Sequence, residues 1–172
     1  MDNSQLISKY KGQIASQENS LSSLYSQNIS HQKTYDQTLG VIHRLEVELE
    51  NLLEQIKKMD HELQKLEELT QGAGSRMKKI QFFEHGRLES KAFEAMQARL
   101  VDIQQEQQSK LLTMADRINN KELKAQDLEQ QIENQRAKLM QLDQLMASNR
   151  NRIHSLKAQI ASSRSTLRTL QM

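Results

Sequence analysis

The chain has 172 residues, of which 27% are charged and only 3% aromatic, and its formal net charge is +2. It contains no Pro, Cys or Trp, which removes disulfides, zinc ribbons and thiol chemistry and leaves few bulky side chains for a compact core. A net charge this small does not by itself imply nucleic acid, whereas an elongated helical assembly with a narrow seam of Leu, Ile, Met and Ala needs no more than this composition.

No stretch approaches the run of about 18 apolar residues that a membrane span requires. The start, Met1-Asp2-Asn3-Ser4-Gln5, is followed by no apolar segment of the kind a cleavable signal carries. A cytoplasmic protein without a membrane span is the expectation.

From Ile7 to Leu66 one heptad register holds. Position a is filled by Ile7, Ile14, Leu21, Asn28, Tyr35, Ile42, Leu49, Ile56 and Leu63, and position d by Tyr10, Gln17, Leu24, His31, Thr38, Leu45, Leu52, Met59 and Leu66. A pattern sustained over so many repeats means coiled coil. Ile42 to Leu66 is apolar at every seam position, whereas Gln17, Asn28, His31 and Thr38 interrupt the seam upstream.

Gly72-Ala73-Gly74-Ser75 is the turn-like cluster, and the stretch from there to Phe93 holds three of the five glycines and all three phenylalanines. It reads as an elbow, with Ser75 placed to cap a following helix. A second register runs from Leu111 to Leu170, with Leu111, Ile118, Ala125, Ile132, Leu139, Met146, Ile153, Ile160 and Leu167 at a. Its d positions alternate apolar and polar, the polar ones being Lys121, Gln135, Asn149 and Ser163. Between the two, Phe93, Met96, Leu100, Ile103, Gln107 and Leu111 step by 3, 4, 3, 4 and 4. Such a pattern is a stutter, which locally unwinds a supercoil. The expected fold is all-α: a long antiparallel coiled-coil helical hairpin forming one domain over 1–172, with arm 1 at 5–71, an elbow at about 72–90 and arm 2 at 91–172.

Charges favour the hairpin. At e and g the strong part of arm 1 carries Glu46, Glu48, Asp60, Glu62 and Glu67 and no base, while arm 2 carries Arg117, Lys124, Arg136, Lys138, Arg150, Arg152, Lys157 and Arg164 against Glu122, Glu129 and Asp143. Opposite arms attract, and a parallel pairing of two first arms sets like charges together. Matching polar seam residues with one another sets Asn28 opposite Gln135, Thr38 opposite Ala125, Leu24 opposite Leu139 and Tyr10 opposite Ile153. In that register the residues beyond Ser163 overhang arm 1, leaving Arg164 and Arg168 free.

Catalytic and metal-binding patterns are missing from this reading. The five histidines are scattered without an H-E-x-x-H or comparable spacing, and no G-x-x-x-x-G-K loop occurs. Asp60-His61-Glu62 is contiguous, but neighbours on a helix point in different directions. The chain is therefore read as a non-enzyme with no cofactor and no metal. Asn28 and His31, at seam positions, are read as register-setting polar groups.

Two surfaces stand out as candidates for binding a protein partner. Beyond Asp143 there is no acidic side chain, yet Arg150, Arg152, Lys157, Arg164 and Arg168 follow. This basic helix suits an acidic, helical protein surface; nucleic-acid binding calls for more charge and interleaved aromatics. The other surface is Phe82, Phe83 and Phe93, bulky apolar groups at the end of a thin hairpin, where exposed clusters mark partner sites. Self-association is compatible with either.

His85-Gly86-Arg87-Leu88-Glu89-Ser90-Lys91-Ala92-Phe93, followed by Met96, Leu100 and Ile103, resembles the mid-protein segment of the helical WXG and LXG proteins of Gram-positive type VII secretion and of the small helical partners of LXG toxins. The Trp of the WXG signature is absent, Ser90 stands where LXG proteins have Gly, and no Tyr-x-x-x-Asp/Glu export signal follows the second helix. With those departures the resemblance implies an accessory or chaperone-like partner rather than an exported toxin. Stalk proteins of type III secretion and flagellar export are similar in layout, which leaves a structural stalk or tether, or a nucleic-acid-associated coiled coil, as the alternative.

Overall fold

The computed structural model describes the backbone of residues 3–84 and 91–172, and side chains for the same residues except 76–84 and 91–93. The chain is an all-α helical hairpin of two helices, α1 (Asn3–Glu84) and α2 (Lys91–Gln171), and no strand occurs among the described residues. The absence of Pro removes the strongest helix breaker. Glu94 in the first turn of α2 and Arg168 in its last turn complement the helix dipole.

Gly72-Ala73-Gly74-Ser75 does not turn the chain. α1 runs through it to Glu84, so Ser75 sits within a helix and caps nothing. Two glycines cost a helix about 1 kcal/mol each relative to Ala, and a continuing seam can outweigh that. Residues 72–84 of the expected elbow are thus helical, and 85–90 lie outside the described residues.

The chain divides into two compact units, Met1–Arg44 with Ile132–Met172 (unit 1) and Leu45–Gln131 (unit 2). Each contains a segment of α1 antiparallel to a segment of α2. Burial follows the heptads: every a and d residue from Ile7 to Leu66 and from Leu111 to Leu170 is buried or half-buried. In unit 2, Leu52, Ile56, Ile118, Ala125 and Leu128 form the core, with Leu45, Leu49, Met59, Leu63 and Met114 packed against it. In unit 1 the buried apolar residues are Leu24, Ile42, Ile132, Leu142, Met146, Ile153 and Ile160. Buried Thr38 satisfies its hydroxyl locally, donating from Oγ1 to the Thr34 carbonyl at 2.8 Å.

The pairing differs from the expected register by two heptads along α2. Asn28 faces Asn149, not Gln135, and Nδ2 of Asn149 donates to Oδ1 of Asn28 at 3.1 Å. Gln17 donates to Gln159 at 3.3 Å, and Lys121 of unit 2 donates to Gln55 at 2.7 Å. A primary amide carries both donors and an acceptor, so two Asn side chains complement each other better than Asn and a longer Gln at the same level. This register also brings the ends together: Leu167 and Leu170 are half-buried, and no overhang beyond Ser163 is left.

The expected stutter in α2 is not where the side chains lie. Gln97, Leu100, Gln104 and Gln107 are half-buried and continue the 3–4 spacing of the Leu111 register, while Met96 and Ile103 are 45% and 44% exposed. The irregularity is in α1 instead, where Leu66, Thr70 and Gly74 are half-buried, steps of 4 and 4, and Ala73 is exposed. Here the seam accepts polar groups at a cost: Oε1 of Gln107 is buried without a partner among the described residues.

Candidate partner-binding surface

The antiparallel pairing puts e positions of the two helices on one flank of the seam and g positions on the other. On the e flank of unit 1, Arg164 bonds Glu18 at 2.6 Å and Nζ of Lys157 lies 5.6 Å from the centroid of the Tyr25 ring. Both are exposed contacts, each worth at most about 1 kcal/mol. Arg150 lies one heptad before Lys157 on this flank and is exposed without a partner among the described residues. Arg152 is on the g flank, and Arg168 is exposed in the last turn of α2.

The five basic residues singled out in the sequence are therefore not one patch. Arg164 is not free, as an overhanging terminus would have left it, because Glu18 reaches it in the register of unit 1. Lys157 is occupied in part by Tyr25. Arg150, Arg152 and Arg168 keep their charge open to solvent. Phe82 and Phe83 fall in α1 and Phe93 in α2, and their side chains lie outside the described residues.

Charge is segregated between the units. Unit 1 contains eleven Lys and Arg against five Asp and Glu, and unit 2 contains thirteen against seventeen. Around Arg152 the g flank of unit 1 opens into a groove of about 890 Å³ lined by Gly12, Ser16, Ser20 and Ser23 of α1 and Ser155 of α2. A Cβ at Gly12 would meet nothing within 4 Å, so the groove is open at that point. Sequence reasoning missed this surface. Its signal was present as small residues four apart in a segment, 12–30, whose only charged residue is Glu18.

Among the described residues no group of three His, Cys, Asp or Glu could hold a metal ion. His31 is half-buried in the seam of unit 1, one turn from Asn28, and the Asn28–Asn149 bond agrees with the register-setting role. No helix among the described residues is long and apolar enough to cross a membrane.

Compared with protein-family models, curated proteins and solved structures, the chain matches none.

Proposed function

We propose that this chain is a non-enzymatic coiled-coil adaptor, a targeting or chaperone-like protein of the cytoplasm that binds an acidic, helical surface of another protein through unit 1. The observation that carries this reading is the charge of unit 1, eleven basic against five acidic residues, with Arg150, Arg152 and Arg168 exposed and unpartnered among the described residues. Helical surfaces pack closely where side chains are small, and the groove beside Arg152 provides such a place. Complementary charge steers encounter and selects partners more than it adds affinity. A place in type VII secretion rests on the resemblance of His85–Phe93 alone, and Phe93, with Phe82 and Phe83 shortly before that stretch, supplies a second contact in that case.

A structural stalk or tether is the other reading, favoured by two helices of 82 and 81 residues. The two separate by affinity capture from the native host, using the full chain and the triple variant Arg150→Gln, Arg152→Gln, Arg168→Gln. The adaptor reading expects one predominant protein partner, released by the triple variant and by high salt. Retention of the same partner by the triple variant counts against unit 1 as the site, and recovery of nucleic acid in its place selects the nucleic-acid alternative.

A further inference from the structure

The g flank of unit 2 is self-complementary. Glu48 of α1 and Lys124 of α2, both at g, bridge at 2.9 Å across the exposed edge of the seam. Along the same flank α1 continues with Gln55, Glu62 and Leu69, while α2, running the other way, continues with Arg117, Lys110 and Ile103. One ridge is acidic and ends in an apolar residue; the other is basic and ends in an apolar residue. Leu69 is 66% exposed and Ile103 44%. Between the ridges lies a hollow of about 540 Å³, floored by Met59, Leu66 and Met114 and rimmed by Glu62, Lys110 and Arg117.

The geometry points to a second copy of this chain as the occupant of this flank. A two-fold axis parallel to the helices of unit 2 keeps every residue at its own level and sets the α1 ridge of one copy beside the α2 ridge of the other. Acidic Glu62 then meets basic Lys110 of the second copy, and Leu69 meets Ile103. Neighbouring helices are antiparallel throughout, as in a four-helix bundle. An isologous interface requires one patch to complement itself, and a ridge pair of opposite sign does so only in this orientation. Pairing α1 ridge to α1 ridge sets Glu48 and Glu62 against their own copies, which is repulsive. Methionine side chains adapt to such a surface, since three rotatable bonds let them fill irregular gaps.

Sedimentation velocity of the full chain at low salt is expected to give a species of twice 20.0 kDa. Leu69→Glu with Ile103→Glu is expected to give a monomer of unchanged helix content. Glu62→Lys alone should weaken self-association on the order of tenfold, and adding Lys110→Glu, together with Glu106→Lys so that the 2.6 Å Lys110–Glu106 bridge is kept with its signs exchanged, should restore it. The charge variants alter exposed groups only and keep the test decisive where the double Glu variant unfolds. A monomeric parent chain, a dimer indifferent to all of these changes, or a failure of Lys110→Glu with Glu106→Lys to rescue Glu62→Lys overturns the assignment.

Discussion

Asn149 donates to Asn28 across the seam of unit 1 at 3.1 Å, and its Nδ2 also lies 3.5 Å from Oε1 of Gln27. Asn149 is only 7% exposed. A buried amide left without its partner loses roughly 1–3 kcal/mol, so any slip of α2 by a heptad opposes Asn to an apolar residue and is disfavoured.

The pair therefore trades stability for alignment. Replacing both residues, Asn28→Leu with Asn149→Leu, is expected to raise the melting temperature, because two apolar groups then fill the layer. Asn149→Ala alone is expected to lower stability by about 1–3 kcal/mol, since Asn28 keeps its amide without the bond. Thermal unfolding followed by circular dichroism separates the two outcomes. A double variant less stable than the single one would remove the register-setting role.

Gly72 and Gly74 are helical, and a Cβ at either would meet nothing within 4 Å. Gly72→Ala and Gly74→Ala are each expected to stabilise the chain by roughly 0.5–1 kcal/mol. Destabilisation by either in a denaturant titration would mean that the chain turns at the glycines after all.

Heptad spacing decides which face of a helix is buried, and from Ile7 to Leu66 and Leu111 to Leu170 the burial was legible residue by residue. Spacing is indifferent to sliding by whole heptads, and for that reason the two-heptad displacement was not legible; side-chain chemistry at Asn28 and Asn149 resolves it. At Met96 and Ile103 apolarity misled, because continuity of the Leu111 register prevails over the burial of two residues and leaves Gln97 and Gln104 in the seam. The glycines misled in the same way: propensity is local, and a helix with a continuing seam overrides it. Of the candidate site, charge sign was legible, but which basic residues stay open depended on the register that pairs Arg164 with Glu18.

The Arg164–Glu18 bridge is exposed on both sides, and its removal is expected to be mild. Arg164→Gln should cost at most about 1 kcal/mol, and the coupling energy in a double-mutant cycle with Glu18→Gln should shrink as salt rises. A coupling energy that stays constant up to molar salt would contradict the exposed geometry.

Lys58, by its hydrogen bond and then its charge, holds the Glu54 carboxyl below its ordinary value of 4.5, and Lys110 does the same for Glu106. A carboxyl lowered in the folded state stabilises the helix above its ordinary range, and the contribution is lost as pH falls through the lowered value. A small decline in melting temperature below about pH 4.5 is expected, and Glu54→Gln with Glu106→Gln should reduce it. An undiminished decline in that double variant would place the acid sensitivity elsewhere.

The antiparallel register underlies every surface described above, and disulfide trapping tests it most directly. Asn28→Cys with Asn149→Cys, oxidised in dilute solution, is expected to yield a cross-link within one chain in high yield, while Asn28→Cys with Gln135→Cys should stay reduced. Cross-linking of positions 28 and 135, or bridges formed only between chains, would contradict the hairpin as described.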